Sequence, residues 1–380
     1  MMKVLMGEHL GWRSVFKVGS LYFAEMFIAS GHKVAWLSAS FHPLKYFRDK
    51  VNFMSQYKIW LYKGNENRNI WEYNPFFLFP YRDFPIFNQI FFNRNCYKFS
   101  FPNLVSFLER RDWLNVDILW ITNILDYRWT LEKVRYKLSV YRAPDLVSGF
   151  RVNPSNIEKV EEEIVRKVDI VLTSSKKVYN KFKSYKQDSL YYIPNAVDIE
   201  RFKIKYPEPK EYRGLNGKKV IYVGAIDEWV DLEIIAQIAV EVPNINIVII
   251  GKERVSMKGL RKYKNIHILG PKSPCIIPAY LQHASVGIIP FKKNSLTDCI
   301  HPVKLYEYLA SGLPVVSKNL EEIKNTGLPV LMADEKDEFV EKILEAFGIS
   351  TEEKERLRKS VTDHTWERRF EIVKRILSIQ

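Results

Sequence analysis

The sequence has few cysteines and no long apolar run. Its three cysteines, Cys96, Cys275 and Cys299, share no metal-ligand spacing and cannot all pair, so neither a zinc site nor a disulfide framework is expected. No stretch reaches about 18 uninterrupted apolar residues, the length that suits a membrane-spanning helix. The first residues lead directly into a strand-like segment, Lys3 to Met6, instead of a signal peptide. We therefore expect a cytoplasmic protein that is soluble or peripheral on the inner face of the membrane.

Acidic residues are the minority among the charged residues. The chain has 58 Lys and Arg against 44 Asp and Glu, which gives a formal net charge of +14. This excess favours polyanionic partners, namely nucleic acid, an anionic lipid surface or small molecules that carry phosphate. A basic composition is also common in some organisms, so charge alone does not choose among these partners.

Buried apolar runs alternate with helical patterns along the whole chain. A length of 380 residues exceeds one hydrophobic core, and the alternation predicts an α/β protein with two Rossmann-like, doubly wound domains. The predicted strands are 3–6, 33–38, 117–121, 139–142, 169–173 and 189–193 in the first series, and 219–223, 245–250, 267–269, 286–289 and 314–317 in the second.

A polar stretch separates the two series of strands. It breaks both periodicities with a Tyr-Pro-Glu-Pro-Lys segment and a Leu-Asn-Gly segment. We predict an N-terminal domain over 1–200, a linker over 201–218 and a C-terminal domain over 219–362. A final helix within 363–380 is expected to pack back on the N-terminal domain.

Aromatic residues are concentrated in residues 41–111. This region holds 21 of the 53 aromatic residues, including Phe91 and Phe92, and interleaves them with basic residues such as Arg82, Arg94 and Lys98. Such a composition suits a membrane interface, where rings lie at headgroup depth and cations meet lipid phosphates. A local core around an irregular insertion is an equally weighted interpretation. No nucleic-acid-binding motif accompanies the aromatics, so nucleic acid is not expected as a partner.

A candidate phosphate site begins at His301. Pro302 suits the start of a helix, whose first N–H groups and positive dipole end favour phosphate. Lys304 then lies in the first turn and Glu307 one turn on, so both project on one face. A cation there can bind a diphosphate and the carboxylate can accept both hydroxyls of a ribose. From spacing alone, a surface ion pair is the favoured explanation of this Lys and Glu.

The run HPVKLYEYLASGLPVVS, residues 301–317, resembles the signature of GT-B glycosyltransferases that use nucleotide sugars. The segment Pro194 to Asp198 with Phe202, the turn Tyr222 to Ile226 and Ile249-Ile-Gly251 are similar to further family motifs in the same order. The resemblance covers nearly the whole chain and is most specific in its C-terminal half. It implies two Rossmann-like domains that face a cleft, with residues 1–200 binding the acceptor and residues 219–362 the donor. It also implies transfer of a sugar from a UDP- or GDP-linked donor.

The resemblance also implies roles for individual residues. Lys304 matches the lysine that neutralises the donor diphosphate, and Glu307 the glutamate that holds the ribose. The other residues implied at the donor are Gly224, Ala225, Gly251, Lys252, Pro302, Val303 and Tyr308. The loop from Gly11 to Gly19, with Trp12 and Arg13, would face the sugar from the opposite wall.

Two features bear on the stereochemistry of transfer. Retaining members usually carry a second glutamate eight positions before the first, where this chain has Cys299, with Asp298 one step off. The segment Tyr141 to Asp145 resembles one in the glucuronosyltransferase of xanthan assembly, an inverting enzyme whose aspartate is the base. Asp145 is therefore the candidate base, although a turn or cap aspartate fits the local sequence as well. Asp126 is a weaker candidate of the same kind.

The sequence lacks the Asp-x-Asp motif that holds a metal-bound donor in the other main transferase fold. We therefore predict a metal-independent enzyme with no cofactor, which transfers a hexosyl or glycuronosyl group to a glycan or lipid-linked acceptor, with inversion favoured. The alternatives are a retaining GT-B transferase without a protein base and a sugar-nucleotide 2-epimerase of the same fold. A non-enzymatic basic protein that binds membrane or nucleic acid is the remaining alternative.

Overall fold

The structure, a computed structural model, describes residues 1–14, 19–79, 94–149 and 156–379. Backbone contacts divide the chain into two compact units. One comprises Met1–Ile193 with Val373–Gln380 and the other Pro194–Ile372. Each unit is built on its own sheet, which confirms the predicted α/β class with two doubly wound parts. The predicted domain bounds, with a linker over 201–218, stay predictions.

The first unit contains a sheet of eight strands within the described residues, in the order β3-β4-β2-β1-β5-β6-β7-β8. All neighbours in it are parallel except β3 and β4. The strands are β1 Lys3–Gly7, β2 Lys33–Leu37, β3 Asn65–Asn67, β4 Ile70–Tyr73, β5 Asn115–Ile121, β6 Arg135–Ala143, β7 Ile170–Thr173 and β8 Leu190–Tyr192. The strand β1 lies in the middle of the sheet and is buried from its second residue onward, as expected for a parallel strand covered on both faces.

The helices of the first unit connect these strands. They are α1 Gly19–Ala29, α2 Lys45–Arg48, α3 Lys50–Leu61, α4 Leu104–Arg110, α5 Ile124–Tyr127, α6 Thr130–Lys133, α7 Ile157–Lys167 and α8 Lys176–Phe182. Short 3-10 turns occur at Cys96–Phe99 and Val147–Gly149.

The second unit contains a wholly parallel sheet of six strands among the described residues, in the order β11-β10-β9-β12-β13-β14. The strands are β9 Lys219–Val223, β10 Asn246–Ile250, β11 Ile266–Gly270, β12 Val286–Ile289, β13 Val315–Lys318 and β14 Leu331–Ala333. The helices are α9 Glu200–Lys203, α10 Leu232–Glu241, α11 Ile277–Gln282, α12 Val303–Ala310, α13 Glu321–Lys324, α14 Lys336–Ala346 and α15 Thr351–Ser360, with 3-10 turns at Lys210–Tyr212, Pro274–Ile276 and Thr297–Cys299. The last helix, α16 Trp366–Ile376, begins in the second unit and ends in the first, because the division falls between Ile372 and Val373.

Every predicted strand is present, but three strands were not predicted. The antiparallel β3 has the sequence Asn-Glu-Asn, which has no strand propensity, and β14 is only three residues long. The strand β4 is an apolar and aromatic run in the middle of the aromatic-rich region. The sequence pattern there was dominated by aromatic composition, so the period of the strand was not recognised.

The aromatic-rich region 41–111 divides into a buried part and an exposed part. Trp71, Tyr73 and Phe107 pack closely, with ring centroids 4.5 to 5.9 Å apart. This packing bears out the interpretation as a local core for the rings on and near β4. The helices α2 and α3, in contrast, contain no buried residue. Arg82, Phe91 and Phe92 lie outside the described residues.

None of the helices in the described part of the chain has the length and apolar content needed to cross a bilayer. Cys96 and Cys299 are buried and Cys275 is exposed, and no disulfide joins any of them in the described part of the chain.

Candidate functional site

The helix α12 presents its N-terminus after the loop that follows β12. Pro302 occupies the N-cap position with an extended backbone (φ −78°, ψ 117°), and no side chain caps the helix. The first N–H groups of a helix have no partner within the helix, and the dipole makes this end positive. The structure therefore confirms the predicted helix start and leaves an uncapped end suited to an anion.

Lys304 lies in the first turn of α12, over aromatic rings. Its Nζ lies 4.1 Å from the ring centroid of Tyr222 and 4.8 Å from that of Phe291. The side chain makes neither a hydrogen bond nor an ion pair with any described residue. Burial lowers the pKa of Lys304 to about 7, while the nearby Glu307 acts in the opposite direction. The amino group is thus held by the two rings and has no carboxylate partner among the described residues. It can therefore pair with an anionic ligand.

Glu307 follows one turn later, and its carboxylate has no hydrogen-bond partner among the described residues. Burial raises the pKa of Glu307, the cations Arg201 and Lys304 lower it, and Asp198 adds a smaller rise. Arg201 itself lies 3.9 Å from Asp198. Lys304 and Glu307 therefore do not form the surface ion pair that spacing alone allowed.

Two glycines bring the ends of β9 and β10 close to Lys304. A Cβ atom on Gly224 would lie 2.6 Å from Lys304 Nζ, and the backbone of this glycine has a φ of 147°. A Cβ atom on Gly251 would lie 1.7 Å from the carbonyl oxygen of Gly224. Neither position can accept a side chain without a shift of its neighbours. The backbone at both strand ends is therefore bare next to the lysine.

The remaining residues implied at the donor site differ in position. Tyr308 is fully buried, and its hydroxyl oxygen accepts a hydrogen bond of 2.8 Å from the backbone N–H of Val223 at the end of β9. Ala225 receives a hydrogen bond through its carbonyl oxygen from Tyr222, at 2.8 Å. Tyr308 therefore stabilises the end of β9 through this hydrogen bond, and its side chain is not exposed at the surface.

Pro302 is buried, Val303 is half-buried and Lys252 is exposed. The backbone carbonyl of Lys252 accepts a hydrogen bond from Ile226 N at 3.0 Å. Lys252 thus contributes its backbone to the segment after β10, and Pro302 is the N-cap residue of α12.

The segment before α12 is fixed by a residue whose role was not predicted. Asn195 donates a hydrogen bond of 2.7 Å from its side chain to the carbonyl oxygen of His301. The His301 ring stacks on Tyr306, with Nε2 3.1 Å from the tyrosine hydroxyl. Burial lowers the pKa of His301 to about 3, so the ring is neutral at physiological pH. The Pro-Asn-Ala-Val-Asp motif therefore supports the start of the helix that carries Lys304.

Asp145 lies just after β6 in the first unit and is half-buried. Burial raises its pKa to about 6, and the charge of Arg142 opposes this rise. No hydrogen bond joins the Asp145 carboxylate to another described side chain. A carboxylate of this kind is ionised at neutral pH and can accept a proton.

A buried carboxyl group that was not predicted lies at the end of β1. Glu8 is 1% exposed, and its Oε1 accepts a hydrogen bond of 3.0 Å from Thr122. Burial raises the pKa of Glu8 to about 8, and the charge of Arg142 is the largest opposing effect. The only signal in the sequence is that Glu8 directly follows a buried strand.

The weaker candidate, Asp126, is fully occupied by the protein. Its Oδ2 accepts hydrogen bonds from the backbone N–H of Ser40 at 2.9 Å and from the Asn123 side chain at 3.0 Å. These bonds join the segments that follow β2 and β5. Asp126 therefore has a structural role in this fold.

The start of the predicted acceptor-side loop is attached to β4. The backbone N–H of Trp12 donates a hydrogen bond of 2.8 Å to Glu72 Oε1, and its ring lies edge-on to Trp36 at 5.4 Å. A Cβ atom on Gly11 would lie 3.2 Å from the same carboxylate oxygen. Burial raises the pKa of Glu72, and Arg13 is among the groups that lower it. Residues 15–18 of this loop lie outside the described residues.

Within the described residues, no group of three or more His, Cys, Asp or Glu side chains is arranged to hold a metal ion. The predicted absence of a metal stays a prediction.

Comparisons with known proteins agree with the geometry of the second unit. Residues 217–348 match the family model described as "Glycosyl transferases group 1". The chain is 26% identical over 288 residues to the putative teichuronic acid biosynthesis glycosyltransferase TuaH of Bacillus subtilis (strain 168), covering 69% of this chain and 72% of that protein.

Solved structures share the fold at low sequence identity. A glycosyltransferase from Rickettsia africae ESF-5 is 13% identical with a TM-score of 0.66, over 100% of this chain and 99% of its own. A trehalose-6-phosphate structure from E. coli, bound with UDP-2-fluoro glucose, is 11% identical with a TM-score of 0.70 over the same shares. Anabaena Alr3699/HepE in complex with UDP and glucose is 13% identical with a TM-score of 0.66 over 100% of both chains.

Proposed function

We propose that this chain, a glycosyltransferase of the GT-B fold whose residues 217–348 match the group 1 family model, transfers a sugar from a UDP- or GDP-linked donor to a growing polysaccharide. The observation that carries this proposal is the pair Lys304 and Glu307, two oppositely charged side chains on one helix face with neither a hydrogen bond nor an ion pair to any described residue. Unpaired charged groups in partly buried positions are costly unless a ligand satisfies them. A nucleoside diphosphate supplies the matching anion and hydroxyls.

The donor is held by the edge of the six-stranded sheet. Lys304 and the uncapped N-terminus of α12 bind the diphosphate, and Glu307 accepts hydrogen bonds from the ribose hydroxyls. The bare backbone at Gly224 and Gly251 lets the phosphates approach closely. In an open parallel sheet this edge is where ligands bind. Lys304 and the helix dipole offset the charge on the leaving diphosphate, so the reaction needs no metal ion.

The base is Asp145, and the transfer inverts the configuration of the sugar. The acceptor hydroxyl gives its proton to the Asp145 carboxylate while its oxygen forms a bond to the sugar carbon. The bond from that carbon to the diphosphate oxygen breaks, and the nucleoside diphosphate leaves. A carboxylate that is ionised at neutral pH but not strongly stabilised by hydrogen bonds suits this role. The pKa of about 6 supports it.

The donor nucleotide is UDP, and the acceptor is a polysaccharide or its lipid-linked precursor. The complex of Anabaena Alr3699/HepE with UDP supports the choice of UDP as the donor nucleotide. The description of TuaH as a putative teichuronic acid biosynthesis glycosyltransferase supports a polysaccharide as the acceptor. In this proposal residues 1–200 bind the acceptor, residues 201–218 are a linker and residues 219–362 bind the donor.

The enzyme works at the cytoplasmic membrane face and contacts it through the exposed side of α2 and α3. Phe47 and Val51 are 82% and 84% exposed, and Tyr62 after α3 is 75% exposed. The segment 45–63 carries five basic residues and one acidic residue, and exposed rings beside lysines suit a bilayer with anionic lipid.

Calorimetric binding of a UDP-sugar tests the donor site. Lys304→Ala and Glu307→Ala should each weaken binding strongly. Glu321→Ala and Lys324→Ala provide a matched control, because they are an exposed Glu and Lys three positions apart on α13. Unchanged affinity in both Lys304→Ala and Glu307→Ala would refute the donor site.

A further inference from the structure

A buried arginine in the first unit interacts electrostatically with two carboxyl groups. Arg142, near the end of β6, is 4% exposed and donates a hydrogen bond of 3.4 Å to Ser20 Oγ. Its guanidinium lies 5.8 Å from the ring centroid of Phe23. Burial lowers the pKa of Arg142, and the carboxyl groups of Glu8 and Asp145 both act against this effect. One cation is therefore shared by two acids that come from different strand ends.

The first of these acids is held by a hydrogen-bond network that also reaches the arginine. Thr122 donates to Glu8, Ser20 Oγ lies 3.2 Å from Thr122 Oγ1, and Arg142 donates to Ser20. This network joins the ends of β1, β5 and β6 to the first turn of α1. Such buried networks are rigid when their members are satisfied. The position of Arg142 is consequently tied to the position of Glu8.

The charge of Arg142 favours the ionised form of both acids, so the two compete for one cation. Among the described residues, Arg142 is the charged group that acts on Glu8, and it is also the one that acts on Asp145. The nearby Glu158, on α7, is paired with Lys181 on α8 and accepts a hydrogen bond from Ser148. A single cation neutralises only one buried carboxylate, so the second is stabler with its proton on.

We propose that Glu8 and Arg142 are positioning residues for the base: Arg142 neutralises ionised Asp145, and protonated Glu8 holds Arg142 through Ser20 and Thr122 without competing for its charge. This proposal rests on the proposed function of Asp145. Glu8 touches no reacting atom in it. The pKa of about 8 for Glu8 and of about 6 for Asp145 agree with this division between the acids.

The proposal has a consequence that a merely structural role would not have. Above a pH of about 8, Glu8 ionises and competes with Asp145 for Arg142. The arginine is then divided between two carboxylates, and the geometry of Asp145 is lost. Activity should therefore fall on the alkaline side because of a residue that does not contact the substrate.

The test is the pH dependence of kcat/KM for the acceptor under saturating UDP-sugar, where the charge of Lys304 is fixed by the bound diphosphate. Wild-type enzyme should show an acid limb from Asp145 near pH 6 and an alkaline limb from Glu8 near pH 8. Glu8→Gln keeps the shape of protonated Glu8 and should abolish the alkaline limb while leaving the acid limb in place. Arg142→Gln should move the acid limb to higher pH by about one unit or more, because a cation beside a carboxylate lowers its pKa, and Arg142→Lys should restore it.

Glu161→Gln is the matched control. Glu161 is also 1% exposed, but it accepts its hydrogen bond from Tyr141 at 2.8 Å, so its replacement should leave both limbs unchanged. Profiles of Glu8→Gln and Arg142→Gln that coincide with wild type would overturn the proposal while Asp145→Asn is still inactive. Full turnover by Asp145→Asn would instead refute the proposed base, so the two failures are distinguishable.

Discussion

The charged groups at the carboxyl ends of the two sheets differ in whether other described residues form hydrogen bonds with them. At the six-stranded sheet, Lys304 and Glu307 have no hydrogen-bond partner among the described residues. At the eight-stranded sheet, Glu8 and Arg142 are buried within a network of hydroxyl groups. The first arrangement leaves its charges for a ligand, whereas the second satisfies most of its charges internally. Under the proposed function, Lys304 and Glu307 bind the nucleotide, and Asp145, just after β6, accepts the proton.

Of the proposed variants, the replacement of Asp145 should have the largest effect on kcat. A small effect would contradict the proposed difference between the two sheet ends. Asp145→Asn should lower kcat by about 10²- to 10⁴-fold, the usual contribution of a general base, with UDP-sugar affinity near normal. Asp126→Ala is the contrasting variant, since its carboxylate is occupied by Ser40 and Asn123. It should lower thermal stability by about 1–3 kcal/mol. Equal effects of the two variants on kcat would contradict the assignment.

A methyl group at Gly251 should disturb the donor edge next most strongly. Its Cβ would lie 1.7 Å from the Gly224 carbonyl oxygen, so Gly251→Ala should cost about 1–3 kcal/mol of unfolding free energy and weaken UDP-sugar binding. Gly259→Ala, with open space around its Cβ, should change neither quantity. Urea unfolding together with calorimetry would measure both. A fully stable Gly251→Ala that binds normally would show that the close approach has no role.

The pH dependence of donor binding sharpens the contrast between the edges. Lys304 has a pKa of about 7 in the free protein, and a bound diphosphate favours its charged form. Binding therefore takes up a proton above pH 7, and affinity for a UDP-sugar should fall by up to about tenfold per pH unit as the pH rises further. Lys304→Met should bind weakly with no such slope. A UDP-sugar without a titrating terminal phosphate is the appropriate ligand, and calorimetry in buffers of different ionisation enthalpy would detect the proton.

The smallest expected effect concerns the lipid surface of the first unit. Lys50→Gln and Lys58→Gln should each weaken binding to vesicles with anionic lipid by about 1 kcal/mol, or about fivefold. Lys324→Gln, at an exposed lysine of the other unit, is the matched control. Sedimentation with anionic and with zwitterionic vesicles separates charge from general adhesion. If all three variants bind equally, the membrane contact does not lie on α2 and α3.

The pair Lys304 and Glu307 was easier to predict from the sequence than the network around Glu8. The reason is the number of residues that separate the members of each group along the chain. Lys304 and Glu307 lie within one helical turn, so spacing alone places them on one face. Glu8 and Thr122 are 114 positions apart, and Ser20 and Arg142 are 122 apart. Only the strand order brings them together, and no local pattern records it.

The exposed face of α2 and α3 was difficult to predict for a different reason. These helices bury no residue, so they lack the apolar period from which a packed helix is recognised. Their neighbours on β4 are fully buried aromatics with similar composition. Composition therefore identified the region but did not divide it into a core part and a surface part.

The resting place of Lys304 has a kinetic consequence. A cation above the rings of Tyr222 and Phe291 is attracted to them without forming an ion pair. An arriving diphosphate does not have to displace a carboxylate before it meets the ammonium group. Association should therefore proceed without an internal dissociation step, and differences in affinity between donors should appear mainly in how long each one stays bound.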